Sequence, residues 1–223
     1  MSLWCAYDQT IANVTAEQII SGDITIGAGE STGIKYVNKV LTDIHGDYPD
    51  IKIHLISGNT SEMETALDQG RIDFAILVGN YPVTNYDYLQ LPEKDHWGLV
   101  IQKEDALAQK ANIKPEDLLN RQLIVPQQTI ADHTFQKWWG NLGNQMTIMA
   151  TYTLVYNART LIQTNYSCLL SIGGLIDNAH DSKLVFRPLN PVMTEPLTII
   201  WKKNTLLSKA AQLFKQRLST TLK

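Results

Sequence analysis

Between Gly22 and Val78 the chain runs strand, tight turn, helix, strand, tight turn, helix, strand, and this alternation constrains its fold class more than any other feature. The stretch opens GDITIGAGESTG, continues through a helix to Tyr48, and closes IKIHLISGNTSEMETALDQGRIDFAILVG. Ile24 and Ile26 alternate about Thr25 as a strand, and Ile34, Val37, Leu41 and Ile44 then recur at helical spacing. Ser31 or Thr32 is the expected N-cap, with Gly46 and Pro49 as the stop. Ile51, Ile53 and Leu55 mark a second strand. Ser61-Glu62-Met63-Glu64 fits a capping box for a second helix, which Gly70 ends. Phe74, Ala75, Ile76, Leu77 and Val78 are apolar at every position, as suits a strand covered on both faces. The expected fold class is α/β.

Both turns, Gly29-Glu30-Ser31-Thr32-Gly33 and Gly58-Asn59-Thr60-Ser61, follow a strand and open a helix. In a parallel sheet they sit at the carboxyl edge, where such sheets bind ligands. Free N–H groups at a helix start, beside short hydroxyl side chains, grip a small polar or anionic group. The chain therefore reads first as a small-molecule receptor.

After Gly79 strands are expected at 86–91 and 98–102, with a polar crossing at 92–95. Further strands are expected at 123–125, 146–150, 167–172, 184–189 and 197–201. Helices are expected near 16–21, at 115–119, 132–139 and 153–163, and at the end, where Leu207, Ala210, Ala211, Phe214 and Leu218 share a face. Two βα series and two chain crossings point to two α/β lobes rather than one open sheet. Lobe one would comprise 22–92 and 195–223, and lobe two 97–190.

Composition closes off several classes. Net charge is −3 with both signs interspersed, so no polyphosphate-binding surface is expected. Cys5 and Cys168 are too few for a disulfide framework, which favours a reduced, cytoplasmic setting. No apolar run reaches the length of a membrane span. The five histidines show no H-E-x-x-H spacing, and neither cysteine has a partner at metal-ligand distance in sequence, so no metal is expected. Gly27, Gly29 and Gly33 miss the dinucleotide fingerprint by one residue, and no acid ends the second strand, so no nucleotide cofactor is expected.

Taken in order, ITIGAGESTG, SGNTSEMETALDQGRIDFAIL, HWGLVIQKEDALA, DLLNRQLIVPQ and LSKAAQLFKQRL resemble the effector-binding domain of LysR-type transcriptional regulators over about 22–223. The resemblance implies a type 2 periplasmic-binding-protein fold: two Rossmann-like lobes joined by two crossover segments, with a small effector in the cleft and no catalysis. On that reading Ser31, Thr32, Gly58, Asn59 and Thr60 contact ligand from lobe one, and Gln127, Gln128 and Thr129 from lobe two. Trp97 and Tyr152 would supply apolar walls. An anion is the favoured ligand at such helix starts, although Glu30 would repel one unless turned outward; Arg159 or Lys137 would compensate. The resemblance further implies homodimers, paired side by side and head to tail, that assemble into tetramers in the full-length regulator. DNA would be contacted only through an N-terminal helix-turn-helix, of which residues 1–21 resemble the remnant of the connecting helix. One departure stands out: Thr164-Asn165-Tyr166-Ser167-Cys168 replaces the family's glycine-rich turn.

Two rival readings use the same residues. Gly29-Glu30-Ser31-Thr32-Gly33 matches the G-x-S-x-G elbow of serine hydrolases, with Ser31 as nucleophile, His133 or His180 as base and Asp132 or Asp177 as orienter. That elbow normally follows several strands, whereas this one follows the first. A transporter's solute-binding protein shares the lobes, but the start of the chain lacks the charged and apolar segments of an export signal.

Overall fold

The computed structural model describes residues 20–162, 167–176 and 183–222. In chain order the elements are β1 (Gly22–Ala28), α1 (Lys35–Asp47), β2 (Ile51–Ser57), α2 (Thr60–Asp68), β3 (Phe74–Val78), β4 (Tyr86–Gln102) and β5 (Gln122–Pro126). Then come α3 (Gln127–Ala131), α4 (Gln136–Trp139), β6 (Thr147–Tyr152), α5 (Val155–Ala158), β7 (Ser167–Ile172), β8 (Leu184–Pro188), β9 (Thr194–Lys202) and α6 (Lys209–Thr221). Hydrogen-bonded neighbours run β2-β1-β3-β9-β4-β7-β5-β6, with β8 also on β4.

Strand alternation sorts the side chains of β3 onto two faces. Phe74 and Ile76 meet Val37, Leu41 and Ile44 of α1 and Phe214 and Leu218 of α6. Ala75 and Leu77 meet Met63, Ala66 and Leu67 of α2 on the opposite face. The Phe74 and Phe214 rings pack edge to face with centroids 4.9 Å apart. Burying a side chain of that size stabilises the fold by roughly 1.5–3 kcal/mol. The same sorting recurs in the second half. Leu123 and Val125 of β5 and Leu170 of β7 pack with Phe135 and Trp138, while Ile124 and Leu169 pack with Val155 and Ala158. Each sheet is thus covered on both faces, as the apolar run at 74–78 predicts.

The two halves share β4 and β9. β4 is one strand of 17 residues. Its first part pairs antiparallel with β9, and Trp97 to Val100 pair with β7 in the second sheet. The polar crossing expected at 92–95 is thus part of one continuous strand rather than a link between two. Lys94, Asp95 and His96 pair with Pro196, Glu195 and Thr194, and the register slips between Gln90 and Lys94, around Pro92. A proline, lacking an N–H, is accommodated at such a bulge. The result is the expected α/β architecture: two lobes joined by two crossover strands.

Three helical expectations change. α2 begins at Thr60, and its N-cap, Asn59, lies two residues before the predicted cap Ser61. Of the helix predicted at 132–139 only α4, Gln136–Trp139, forms; α3 precedes that range at Gln127–Ala131, and His133 between the two adopts φ 52. The helix predicted at 153–163 is α5 followed by a 3-10 turn, Arg159–Leu161. The expected helix at 16–21 lies almost wholly outside the described residues, as do Thr164, Asn165 and Tyr166 of the departing turn.

Candidate functional site

The two turns of the first half are closed largely by their own side chains. Ser31 Oγ accepts from the Gly33 N–H at 2.9 Å and is buried in doing so. Thr32 donates through both N and Oγ1 to Asp95 Oδ1, at 3.3 and 2.8 Å. At the second turn Asn59 Oδ1 accepts from the Glu62 N–H at 3.0 Å, while Glu62 Oε2 accepts from the Asn59 N–H at 2.9 Å. This is a capping box centred on Asn59 rather than Ser61. Gly58 lies against the ends of two side chains: a Cβ there would be 2.6 Å from Met63 Cε and 2.7 Å from Glu62 Oε2, so both would have to shift.

Facing these turns, β5 ends at Pro126 and the chain enters α3, which projects Gln128 across the gap. Gln128 Oε1 accepts from the Thr60 N–H at 3.2 Å, and Nε2 donates to Thr60 Oγ1 and to the Tyr81 hydroxyl. Tyr81 in turn donates to Asp132 Oδ2 at 2.7 Å. Glu30 Oε2 accepts from the Val155 N–H at 2.5 Å, where α5 begins. On the crossover strands, Trp97 Nε1 donates to Glu195 Oε1 at 3.0 Å.

These groups surround a cavity of about 940 Å³. Drug-sized ligand sites range over roughly 300–1,000 Å³. Of the sequence-predicted contacts, Gly58, Asn59, Thr60, Trp97, Gln127, Gln128, Thr129 and Tyr152 line it. Ser31 and Thr32 are not in the lining, because their polar atoms are turned to Gly33 and Asp95. Lys137 lines the cavity and Arg159 does not. The hydrolase reading loses its geometry as well. Ser31 Oγ serves the turn, and His133 lies in the cavity lining that Ser31 does not reach. Asp132 is engaged by Tyr81, and His180 and Asp177 lie outside the described residues.

The lining also includes residues that local pattern did not single out as ligand contacts: Tyr81, Glu64 and Glu195, with Glu30 and Asp132 in new roles. Burial raises the pKa of Glu30, partly offset by the Val155 N–H. Burial also raises Glu195; the Trp97 N–H opposes this, and the charges of Asp132 and Asp95 add to it. Burial and then Asp68 raise Glu64. Burial likewise pushes the hydroxyls of Tyr81 and Tyr152 far above the ordinary range, aided by Asp132 and Glu30 respectively. Among the described residues no cluster of three or more His, Cys, Asp or Glu is arranged to hold a metal ion. Cys168 is buried in β7, where desolvation pushes its thiol up to about 12.

Solved regulator domains share this architecture. The effector-binding domain of QuiR, solved in complex with shikimate, superposes with a TM-score of 0.75 at 18% identity, over 91% of this chain and 98% of that one. HinK, a LysR family transcriptional regulator from Pseudomonas aeruginosa, superposes with a TM-score of 0.71 at 20% identity, over 96% of this chain and 75% of its own. These likenesses are likenesses of fold. In sequence, the chain is 24% identical to the Hca operon transcriptional activator HcaR of Escherichia coli, covering 87% of this chain and 67% of the activator. It is 23% identical to a probable RuBisCO transcriptional regulator of Chlorokybus atmophyticus, covering 87% and 64%. The chain spans about a third to two thirds of the length of the curated relatives it matches. The family model described as the LysR substrate binding domain matches residues 17–223. The chain belongs to the LysR substrate-binding-domain family.

Proposed function

We propose that this chain is the effector-sensing part of a LysR-type transcriptional regulator, non-catalytic and working in the cytoplasm. Lobe one is 22–92 with 195–223 and lobe two is 97–190, and the effector is a small polar molecule held between them. The observation that carries the reading is the pair of bridges across the cavity. Gln128 of α3 reaches Thr60 and Tyr81, and Glu30 reaches the start of α5. A ligand entering the gap must compete with these contacts or reinforce them, and so shifts the balance between lobe arrangements. A tenfold population shift takes about 1.4 kcal/mol of differential affinity. QuiR, of the same fold, was solved with shikimate, which supports a small-molecule ligand in this architecture.

Transmission to DNA requires a helix-turn-helix N-terminal to this domain and an assembly of dimers into tetramers. Both are part of the proposal, as is pairing of the sensing domains side by side and head to tail. The sensor reading is tested by melting temperature and tryptophan fluorescence across a small-metabolite library. Trp97 lies in the cavity wall and reports directly. A hit should raise the melting temperature and lose that effect in Gln128→Ala. A folded protein that responds to no compound sinks the reading. Sedimentation of the chain at micromolar concentration tests the dimer, which a purely monomeric profile would exclude.

A further inference from the structure

Donors and acceptors are unequally available in the cleft, and the imbalance points to the kind of ligand it takes. An anion at this fold's helix starts needs free backbone N–H groups. Here the turn before α1 and the starts of α2 and α5 are largely served by protein acceptors, whereas the short α3 has no side-chain cap. The Thr32 and Gly33 N–H groups go to Asp95 and Ser31. Those of Asn59, Thr60 and Glu62 go to Glu62, Gln128 and Asn59. The Val155 N–H goes to Glu30. An anion at these starts would have to displace protein acceptors, three of them carboxylates: Asp95, Glu62 and Glu30.

Acceptors are in surplus. Glu30, Glu64, Asp132 and Glu195 line the cavity against Lys137, its one lysine or arginine among the described residues. The ion pairs among the described residues lie elsewhere, and none involves these four carboxylates. Glu195 and Asp132 each spend one oxygen on a neutral donor, Trp97 and Tyr81, and the second oxygen of each has no hydrogen bond among the described residues. Their charges act on one another. The Tyr81 ring and Glu195 both approach Gly79, at φ +116: a Cβ there would lie 3.0 Å from Tyr81 Cε2 and 3.5 Å from Glu195 Oε2. Carboxylates beside aromatic rings in a partly desolvated gap form a seat for an organic cation, through charge-assisted hydrogen bonds and cation–π attraction.

We infer that the effector is a small organic cation, a molecule carrying a protonated amine or guanidine. Its charged group sits at Glu195 and Asp132 and its body lies against Trp97 and Tyr81. The inference rests on the effector-cleft reading above and adds the sign of the ligand's charge.

Three probes of one shape test it: phenethylamine, 2-phenylethanol and 3-phenylpropionate, each titrated against the chain by calorimetry and by tryptophan fluorescence. Phenethylamine should bind about tenfold more tightly than either of the others, as one charge-assisted contact in place of a neutral one allows. Its affinity should fall as ionic strength rises. Glu195→Gln with Asp132→Asn should reduce the preference to about twofold or less while the wild-type protein keeps it. If the double variant fails to fold, the ionic-strength series on the wild type decides the matter. Equal or tighter binding of 3-phenylpropionate overturns the cation, and if Gln128→Ala weakens that binding the effector cleft itself survives. Binding of none of the three overturns the cation as well; a response to the metabolite library would then show that only the ligand class was wrong.

Discussion

The two halves of the molecule close their helix starts by different means. In the half built on β1, β2 and β3 the caps come from neighbours in sequence. Asn59 and Glu62 box the start of α2, Ser31 caps the turn before α1, and Ser208 Oγ accepts from the Ala211 N–H at 3.1 Å at the start of α6. In the half built on β5, β6 and β7, none of α3, α4 and α5 has a side-chain cap from its own N-cap residue. The Val155 N–H of α5 is met instead by Glu30, which is 125 residues earlier. The first half carries its caps mainly in local sequence, with Gln128 added from across the cleft at the Thr60 N–H, while α5 in the other half relies on a partner from across the cleft alone. Opening the cleft leaves the Val155 N–H unmet at α5, and frees the Thr60 N–H at α2, whose start keeps its own box.

The largest test of the contrast is whether it extends to global stability. Phe214 and Phe135 are both fully buried, one in each half, against Phe74 at 4.9 Å and Trp97 at 5.0 Å. Truncating either to alanine should cost about 3–5 kcal/mol. Because β4 and β9 are shared, the loss should appear in both halves. Native-state hydrogen exchange of Phe214→Ala should show reduced protection in β5 and β7 as well as in β1 and β3. Loss confined to β1 and β3 would mean that the halves unfold separately.

The next test compares the two kinds of cap. Asn59→Ala removes a local box and should cost about 1 kcal/mol, with faster exchange confined to α2. Glu30→Ala orphans the Val155 N–H and should cost about 1–2 kcal/mol. Its exchange signature should appear at the start of α5, in the opposite half from the substitution. Glu30→Gln keeps an acceptor and should stay within about 0.5 kcal/mol of wild type. If Glu30→Ala disturbs α1 and leaves α5 protected, the borrowed cap is not what holds α5.

The same asymmetry explains what the sequence made legible. β1, β3, α1 and α6 follow from periodicity, and α1 shows it plainly, since Val37, Val40, Leu41 and Ile44 make one stripe. Ser61 is a plausible cap by pattern, but extended backbone at Asn59, φ −81 and ψ 169, starts α2 earlier, a choice between adjacent polar residues that pattern alone does not make. In the second half the turn between α3 and α4 depends on the positive φ of His133, which nothing in its neighbourhood announces. At the cleft, the turn residues Gly58 to Thr60 were readable because strand, turn and helix are contiguous. Glu195 and Tyr81 were not, because one sits on a crossover strand and the other in a loop, and only the fold brings them together.

The smallest effect expected is also the one that joins stability to ligand chemistry. Burial is the largest cause of the raised pKa at Glu30, Glu64 and Glu195. Each therefore holds its proton more tightly in the folded chain than in the unfolded one. Above the ordinary glutamate value of 4.5 and up to the raised values, the native state binds the extra protons. Stability contributed by these groups is thus present at lower pH and lost as pH rises through that window. Glu93, held below the ordinary range by Lys35 and Tyr36 on the surface, acts in the opposite sense, so the difference between wild type and variant is the quantity to measure. Urea unfolding from pH 4.5 to 7.5 should show wild type losing stability relative to Glu195→Gln as pH rises, because the amide cannot ionise. Adding phenethylamine should reverse that trend, stabilising wild type more as the carboxylates ionise and leaving Glu195→Gln little changed. A wild-type curve parallel to the variant with and without the amine would show that Glu195 neither carries strained charge in the empty cleft nor receives a cation in the filled one.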